Sequence, residues 1–403
     1  MNRNLKINVD RATWPKRGMG PSFPKSFQPG PSSYQLNIPA MLMMIGYLTT
    51  PTSSTGVSLG EFWAWVRYLA AISDQEELSL TRSYSELDAH QKTILSDDFG
   101  MGVPILWLCD KLSLAQILDG RYFMQRVAAS VGATQRRIAK RGPNKTPDFV
   151  ARDLNGKWHI VECKGTQSGS EYSEKQLGTK GPPVTGGVAQ KCSIIFPPGH
   201  TGQRLVCGLG IGLDDGAGSV LKVIDPEPEN PFEISSDQLI YAEDAANRGV
   251  MSKALRMAGF EITAEVVASP FGSRPDSVRE RSAREENARK EMVGERDVRS
   301  RVELGDDAER RKVFDENYRG REVVIELPRE IRVNEERIRT VIVTQGVSRE
   351  ALEELEHRPN VEEPAGEENV SWTGLIGRSA VKTDGLSATL RIGNIFRSEI
   401  KLV

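Results

Sequence analysis

The chain has 403 residues, with 53 Lys and Arg against 55 Asp and Glu, giving a formal charge of −2 and a pI of about 6.2. That length suits two or three domains, and the near-neutral balance excludes a global basic footprint, so any nucleic-acid surface has to be local. The longest apolar run, 38–48, is too short to span a membrane, and the basic, Pro/Gly-rich start has no signal-peptide pattern.

Residues 1–35 read as a flexible basic arm carrying Arg3, Lys6, Arg11, Lys16, Arg17 and Lys25. Residues 36–100 read as a helical region. Apolar residues recur across 38–48 and 59–72, on either side of a polar break. Trp63 and Trp65 fall in the second stretch, where core packing or a protein interface outweighs stacking on bases. Ser85 is placed to cap a third helix. Residues 97–110, with Gly100, Gly102 and Pro104, read as the entry to a central domain over 101–269. There Ser113 is the expected N-cap of a helix that buries Leu114, Ile117, Leu118, Phe123, Val127 and Val131 and ends at Gly132. A strand is expected over 133–140, followed by a basic loop in which Lys140, Arg141 and Lys145 are placed to contact phosphates.

The stretch TPDFVARDLNGKWHIVECKG, 146–165, carries the most information. Pro147-Asp148 opens an apolar run, Asn155-Gly156 is a turn signal, and Glu162-Cys163-Lys164 closes a second run. This pattern is a β-hairpin. Glu162 and Lys164 are two apart and share a face, while Val161 and Cys163 take the other. A two-residue Asn155-Gly156 turn would set Asp148 opposite Cys163, on the wrong face. A three-residue loop, Leu154-Asn155-Gly156, sets Asp148 opposite Glu162 and puts Phe149 and Ala151 with Val161 and Cys163. Gly156 then takes the left-handed position. Two carboxylates make a hard, oxygen-rich site for Mg²⁺ or Mn²⁺, with the backbone carbonyl of Cys163 as a further oxygen. Such an ion lowers the pKa of bound water and stabilises charge on a phosphate, and Lys164 can serve the water or offset developing charge.

The pattern Pro147-Asp148, a gap, then Glu162-Cys163-Lys164 resembles the PD-(D/E)XK motif of the restriction-endonuclease-like nucleases, over about a third of the chain, roughly 113–260. The resemblance implies an α/β/α core with a mixed sheet, flanked by the N-terminal helical region and a C-terminal α+β region. It implies Asp148 and Glu162 as metal ligands and Lys164 as the catalytic lysine of a Mg²⁺-dependent (or Mn²⁺-dependent) endonuclease. Its substrate would be DNA, with RNA left open. Gln190 and Lys191, just downstream, are candidates to assist at the site. Many members also carry an acidic residue on the preceding helix, and the helix expected here offers only Asp119, with Gln125 deeper in. Members with large flanks serve in bacterial restriction or anti-phage defence beside a separate ATPase, helicase or sensor, and oligomers are left open. The alternative is a non-cleaving nucleic-acid-binding or scaffold subunit that keeps the fold.

Beyond the motif, a Gly/Ser/Lys-rich loop is expected to about residue 187, then strands over 192–196, 204–213 and 220–224, a helix over 239–257 stopped by Gly259, and a strand over 261–269. Residues 270–321 form a charged helical or linker segment with nearly balanced signs. Residues 322–403 form the α+β region, with strands over 322–327 and 338–344, a helix capped by Ser348, and short strands joined by Asp-Gly and Gly-Asn turns. The four cysteines, Cys109, Cys163, Cys192 and Cys207, show no paired metal spacing and read as reduced core residues of a cytoplasmic protein. No Walker A pattern occurs, which excludes a P-loop ATPase within this sequence. The four histidines, His90, His159, His200 and His357, form no close pair, which argues against HNH chemistry and a zinc hydrolase. His159 falls on the Val161 face and reads as structural.

Overall fold

A computed structural model describes residues 1–16, 18, 20–53, 60–130, 146–178, 187, 194–225, 232–268, 283–305, 311–333, 336–359 and 371–403. The principal elements to residue 268 are β1 (Asn2–Val9), β2 (Gly30–Asn37), α1 (Ile38–Thr49), α2 (Ala89–Leu112), β3 (Leu114–Asp119), α3 (Gly120–Ser130), β4 (Phe149–Asp153), β5 (Trp158–Thr166), α4 (Ser170–Leu177), β6 (Thr201–Gly210), β7 (Val220–Ile224), α5 (Leu239–Met257) and α6 (Glu261–Ala268). The rest comprises α7 (Ala283–Gly305), β8 (Tyr318–Val333), β9 (Glu336–Ser348), α8 (Arg349–His357), β10 (Ser379–Asp384), β11 (Ser387–Ile392) and β12 (Phe396–Leu402).

The fold is α/β with a mixed first sheet of seven strands in the order β2-β1-β7-β6-β5-β4-β3. The pairs β1/β7 and β5/β6 are parallel, and the other four are antiparallel. Most of β5 is buried, so both faces of the sheet are covered. One face carries α2, whose backbone rests on β5, and the other carries α3, α4 and α5. Phe123 of α3 packs on Trp158, and Leu177 of α4 lies over Gly208. A second, antiparallel sheet has the order β8-β9-β12-β11-β10, edged by the short strand Arg311–Lys312. Between the two sheets runs α1. It packs on α2 and on β10, β11 and β12, and every residue from Ile38 to Leu48 is buried, as an all-round apolar helix requires.

The start of the chain is not an arm. Leu5, Ile7 and Val9 alternate into the core and make β1 an interior strand, while the buried Arg3 guanidinium donates to the Ser73 carbonyl from Nε at 3.2 Å and Nη2 at 2.9 Å. Trp14, Phe23 and Phe27 pack edge to face beyond it.

Nor does the expected break at 97–110 occur. α2 runs unbroken through Gly100, Gly102 and Pro104, so no boundary falls near residue 100. The glycines are there for approach: a Cβ at Gly100 would sit 2.6 Å from Gly165 N, and one at Gly102 would sit 2.3 Å from Ile45 Cγ1. Ser113, expected to open a helix, closes α2 at φ 52, and Leu114 to Asp119 is a strand; the helix starts at Gly120. A short buried apolar run does not by itself separate helix from strand. The same ambiguity applies to Glu261–Ala268, which is helical. Its first N–H groups, Ile262 N and Thr263 N, donate to the Glu303 carboxylate of α7 at 3.1 and 2.7 Å. The charged helix α7 is thereby docked by its polar side chains rather than acting as a linker. Ser170–Leu177, expected as loop, is α4.

The helix α5 occupies its expected span, with Gly259 left-handed just past it, and β6 and β7 cover most of the strands expected there. The turns at Gly385 and Gly393 both have positive φ. Cys109, Cys163 and Cys207 are free and buried; Cys192 and the strand expected over 133–140 lie outside the described residues. Among the described residues no helix is long and apolar enough to cross a membrane.

Candidate active site

The site is built on the β4–β5 hairpin. Its register pairs Phe149 with Val161, Val150 with Ile160, Ala151 with His159 and Arg152 with Trp158, which sets Asp148 opposite Glu162 at the open end. The loop is Leu154-Asn155-Gly156. Asp153 N donates to Lys157 O at 2.9 Å, Gly156 has φ 74, and Asp153 Oδ1 accepts from Asn155 N and Lys157 N at 2.8 and 2.9 Å. This is the three-residue loop that the facing argument demands. His159 is buried on the Val161 side, with Nδ1 accepting from Gln203 N at 3.0 Å and Nε2 3.4 Å from Asp153 Oδ2, a structural role.

At the open end each carboxylate clamps the opposite strand. Asp148 N donates to Glu162 Oε2 at 3.1 Å, and Cys163 N donates to Asp148 Oδ2 at 2.8 Å. In an extended strand a residue's N–H and C=O leave the same edge, so the Cys163 carbonyl also faces Asp148. Glu162 is fully buried, and its Oε1 is 2.5 Å from Lys164 Nζ. Burial, reinforced by the Asp148 charge, pushes the Glu162 carboxyl up to about 8, against the pull of Lys164. Burial likewise raises Asp148, opposed by Lys164. For Lys164, burial works against the charge, but Glu162 and Asp148 outweigh it and its pKa ends above the ordinary value. Gly187 roofs the cluster: a Cβ there would lie 3.4 Å from Glu162 Cγ.

The helix α2 brings a further acid within electrostatic reach of Asp148 and Lys164. A Cβ on Gly165 would be 1.7 Å from Ser96 O, so the helix backbone rests directly on the strand just past Lys164. Gln167 Nε2 ties the two together, donating to Ser96 Oγ at 3.0 Å and to Lys92 O at 3.3 Å. The next residue, Asp97, is raised by burial and lowered by Lys164, and its charge in turn raises Asp148. Reading 97–110 as a domain entry hid this residue. The signal was present in Asp88 as N-cap and in Leu95, Phe99, Val103 and Leu106 at helical spacing.

Asp119, the acidic residue expected on the preceding helix, ends β3 instead. Its Oδ1 is 2.9 Å from the buried Lys253 Nζ, and its Oδ2 accepts from Thr52 N at 3.2 Å and from the Thr52 hydroxyl. Gln125 is exposed on α3. Lys140, Arg141, Lys145, Gln190 and Lys191 lie outside the described residues. A groove of about 210 Å³ between β2, α2 and β10, lined among others by Tyr34, Asp110 and Arg378, lies about 20 Å along α2 from Asp97 and takes no part in this cluster.

Among the described residues no three His, Cys, Asp or Glu side chains stand close enough to hold a metal as placed. By donor chemistry the cluster still fits a hard divalent cation. Burial and their mutual charge make the two adjacent carboxylates hold protons tightly against the pull of Lys164, and a divalent cation would offset that charge. The chain matches no known family model, no curated protein and no solved structure.

Proposed function

We propose that this protein is a metal-dependent nuclease that hydrolyses phosphodiester bonds, with DNA as its substrate, built on a restriction-endonuclease-like version of its α/β fold. The observation that carries this reading is the register of the β4–β5 hairpin. It brings Asp148, Glu162 and Lys164, 14 residues apart at the hydrogen-bonded pair of acids, to one buried point at a strand end. Asp148, Glu162, the Cys163 carbonyl and Asp97 would hold Mg²⁺ or Mn²⁺. When bound, the ion supplies a lowered pKa for water and charge stabilisation on the phosphate.

The chain's own residues then have distinct tasks. The backbone clamps at Asp148 N and Cys163 N orient the two carboxylates. Lys164, paired with Glu162 and charged at neutral pH, is placed to hold a water and to offset negative charge as the phosphate is attacked. The roof at Gly187 excludes bulk water from Glu162, while the α2 contact at Gly165 backs the opposite face of the strand. The resemblance extends the proposal to a cytoplasmic effector of bacterial restriction or anti-phage defence that works beside a separate ATPase, helicase or sensor.

The test is cleavage of plasmid and linear DNA in Mg²⁺ or Mn²⁺. The expected result is activity lost with EDTA and reduced by at least about 100-fold in Lys164→Ala. Cleavage that survives the substitution would exclude this site. The closed Glu162–Lys164 pair, with no three acids converged among the described residues, favours a second reading as a non-cleaving scaffold subunit. In that case calorimetry detects no divalent-ion binding that Asp148→Ala abolishes.

A further inference from the structure

Trp63 is 58 % exposed, whereas Trp14, Trp65, Trp107, Trp158 and Trp372 are all at most 9 % exposed. It opens a turn of π-helix, Trp63–Arg67, closed by Tyr68 N donating to Trp63 O at 3.2 Å; such turns recur at functional sites. The wide turn sends Trp65 into the core and leaves Trp63 outside with the Arg67 guanidinium 5.6 Å from its ring centroid. Arg67 is held in place: its Nη2 donates to Gln91 Oε1 at 2.5 Å, and its carbonyl accepts from Tyr84 Oη at 2.7 Å. The adjacent Tyr68 hydroxyl donates to Asp98. The shelf is therefore fastened to α2 on both sides of Asp97. From Gln91 to Asp97 is about 9 Å along the helix axis, within the reach of a short stretch of one strand.

The surroundings suit a polyanion with unpaired bases. Ile94, one turn beyond Gln91, is also exposed. Lys92 lies beside it on α2, and Arg329 of β8 is within electrostatic reach of Tyr84. Three acids on these elements are engaged: Asp88 caps α2, Asp98 takes the Tyr68 hydroxyl and Glu86 faces Arg82. An exposed indole with a fixed guanidinium presents a flat face on which an unstacked base can stack, and base–aromatic stacking tolerates any sequence.

We propose that Trp63 and Arg67 form a stacking shelf for an unpaired nucleobase of a substrate strand whose phosphate lies at the Asp148–Glu162–Lys164 cluster. This rests on the nuclease reading for the strand's destination, but the shelf is testable without it. Because the other five tryptophans are buried, the solvent-accessible component of the intrinsic fluorescence reports Trp63. In EDTA, a short single-stranded oligodeoxynucleotide is expected to quench the exposed component, with single-stranded RNA and blunt duplex DNA as parallel arms. Trp63→Ala should abolish the quench and weaken binding about ten-fold, measured by anisotropy of a labelled strand, while Trp63→Phe should keep most of the affinity. Quenching by RNA alone would make the strand RNA and leave the shelf standing. No quenching by either single strand, quenching as strong with blunt duplex, or unchanged affinity in Trp63→Ala would overturn the shelf. So would loss of self-association in Trp63→Ala by sedimentation, which would give this face to a second copy of the chain. Quenching without cleavage in Mg²⁺ would sink the nuclease reading and keep the shelf, and cleavage with normal binding by Trp63→Ala would do the reverse.

Discussion

Glu162 meets two opposed demands. It is fully buried next to Asp148, which favours the neutral acid, and it faces Lys164, which favours the carboxylate. The first demand wins, and the carboxyl is pushed from its ordinary 4.5 up to about 8. Between those two values the folded chain keeps a proton that the unfolded chain has released, so stability falls as pH rises through that window. The metal-free protein should therefore lose on the order of a few kcal/mol between about pH 4.5 and about pH 8, and Glu162→Gln should remove most of that loss. Thermal denaturation in EDTA across this range checks it, and a parallel pH profile for wild type and variant would refute the assignment. The residues of this site were legible beforehand because their relation is local. A left-handed Gly156 and a two-residue side-chain period set the register without help from the rest of the chain. Asp97 was not legible, since its place depends on a contact with Gly165 far along the sequence.

At the scale of elements, the decisive contact is α2 on β5. Gly165→Ala drives a methyl into the Ser96 carbonyl, backbone against backbone, with no flexible side chain to yield. The expected cost is about 1–3 kcal/mol or more, seen as a lower urea midpoint, and cleavage should fall with it because Lys164 and Asp97 flank the contact. Gly294→Ala provides the contrast. It sits within α7 with nothing near its missing Cβ and should stabilise by about 0.5–1 kcal/mol through helix propensity alone. If Gly165→Ala behaves like Gly294→Ala, the close packing of α2 on the strand is wrong. The same close approaches explain the misreading of 97–110. Two glycines and a proline ordinarily signal a break, and here the glycines admit Gly165 and Ile45 while the helix continues.

Among the described residues one large apolar core runs through both sheets, beside a small cluster of Leu177, Val206 and Ile224. Leu5, Ile7 and Val161 around the first sheet belong to the same cluster as Val341, Leu390 and Ile400 of the second, with α1 between them. The N-terminal and C-terminal regions expected from the sequence share that core. Calorimetry should show a single unfolding transition. A chain ended at Gly305 should expose α1 and bind a hydrophobic dye strongly at neutral pH. Two resolved transitions, or a well-folded shortened chain, would contradict the shared core.

The sequence by itself determined the hairpin, its loop, its register and the meeting of Asp148, Glu162 and Lys164, because turn chemistry and strand alternation act over a few residues. It also placed α5, β7 and the glycine turns of the last strands, where one period dominates. The tertiary fold alone settled that residues 2–9 lie inside the sheet, that 114–119 extend while 261–268 wind into a helix, that Trp65 turns inward and Trp63 outward, and that α2 sets Asp97 within electrostatic reach of Asp148. In each of these the local pattern allows two states of similar free energy. Burial against a distant partner, such as Ser73 for Arg3, Glu303 for α6 or Gly165 for α2, selects between them.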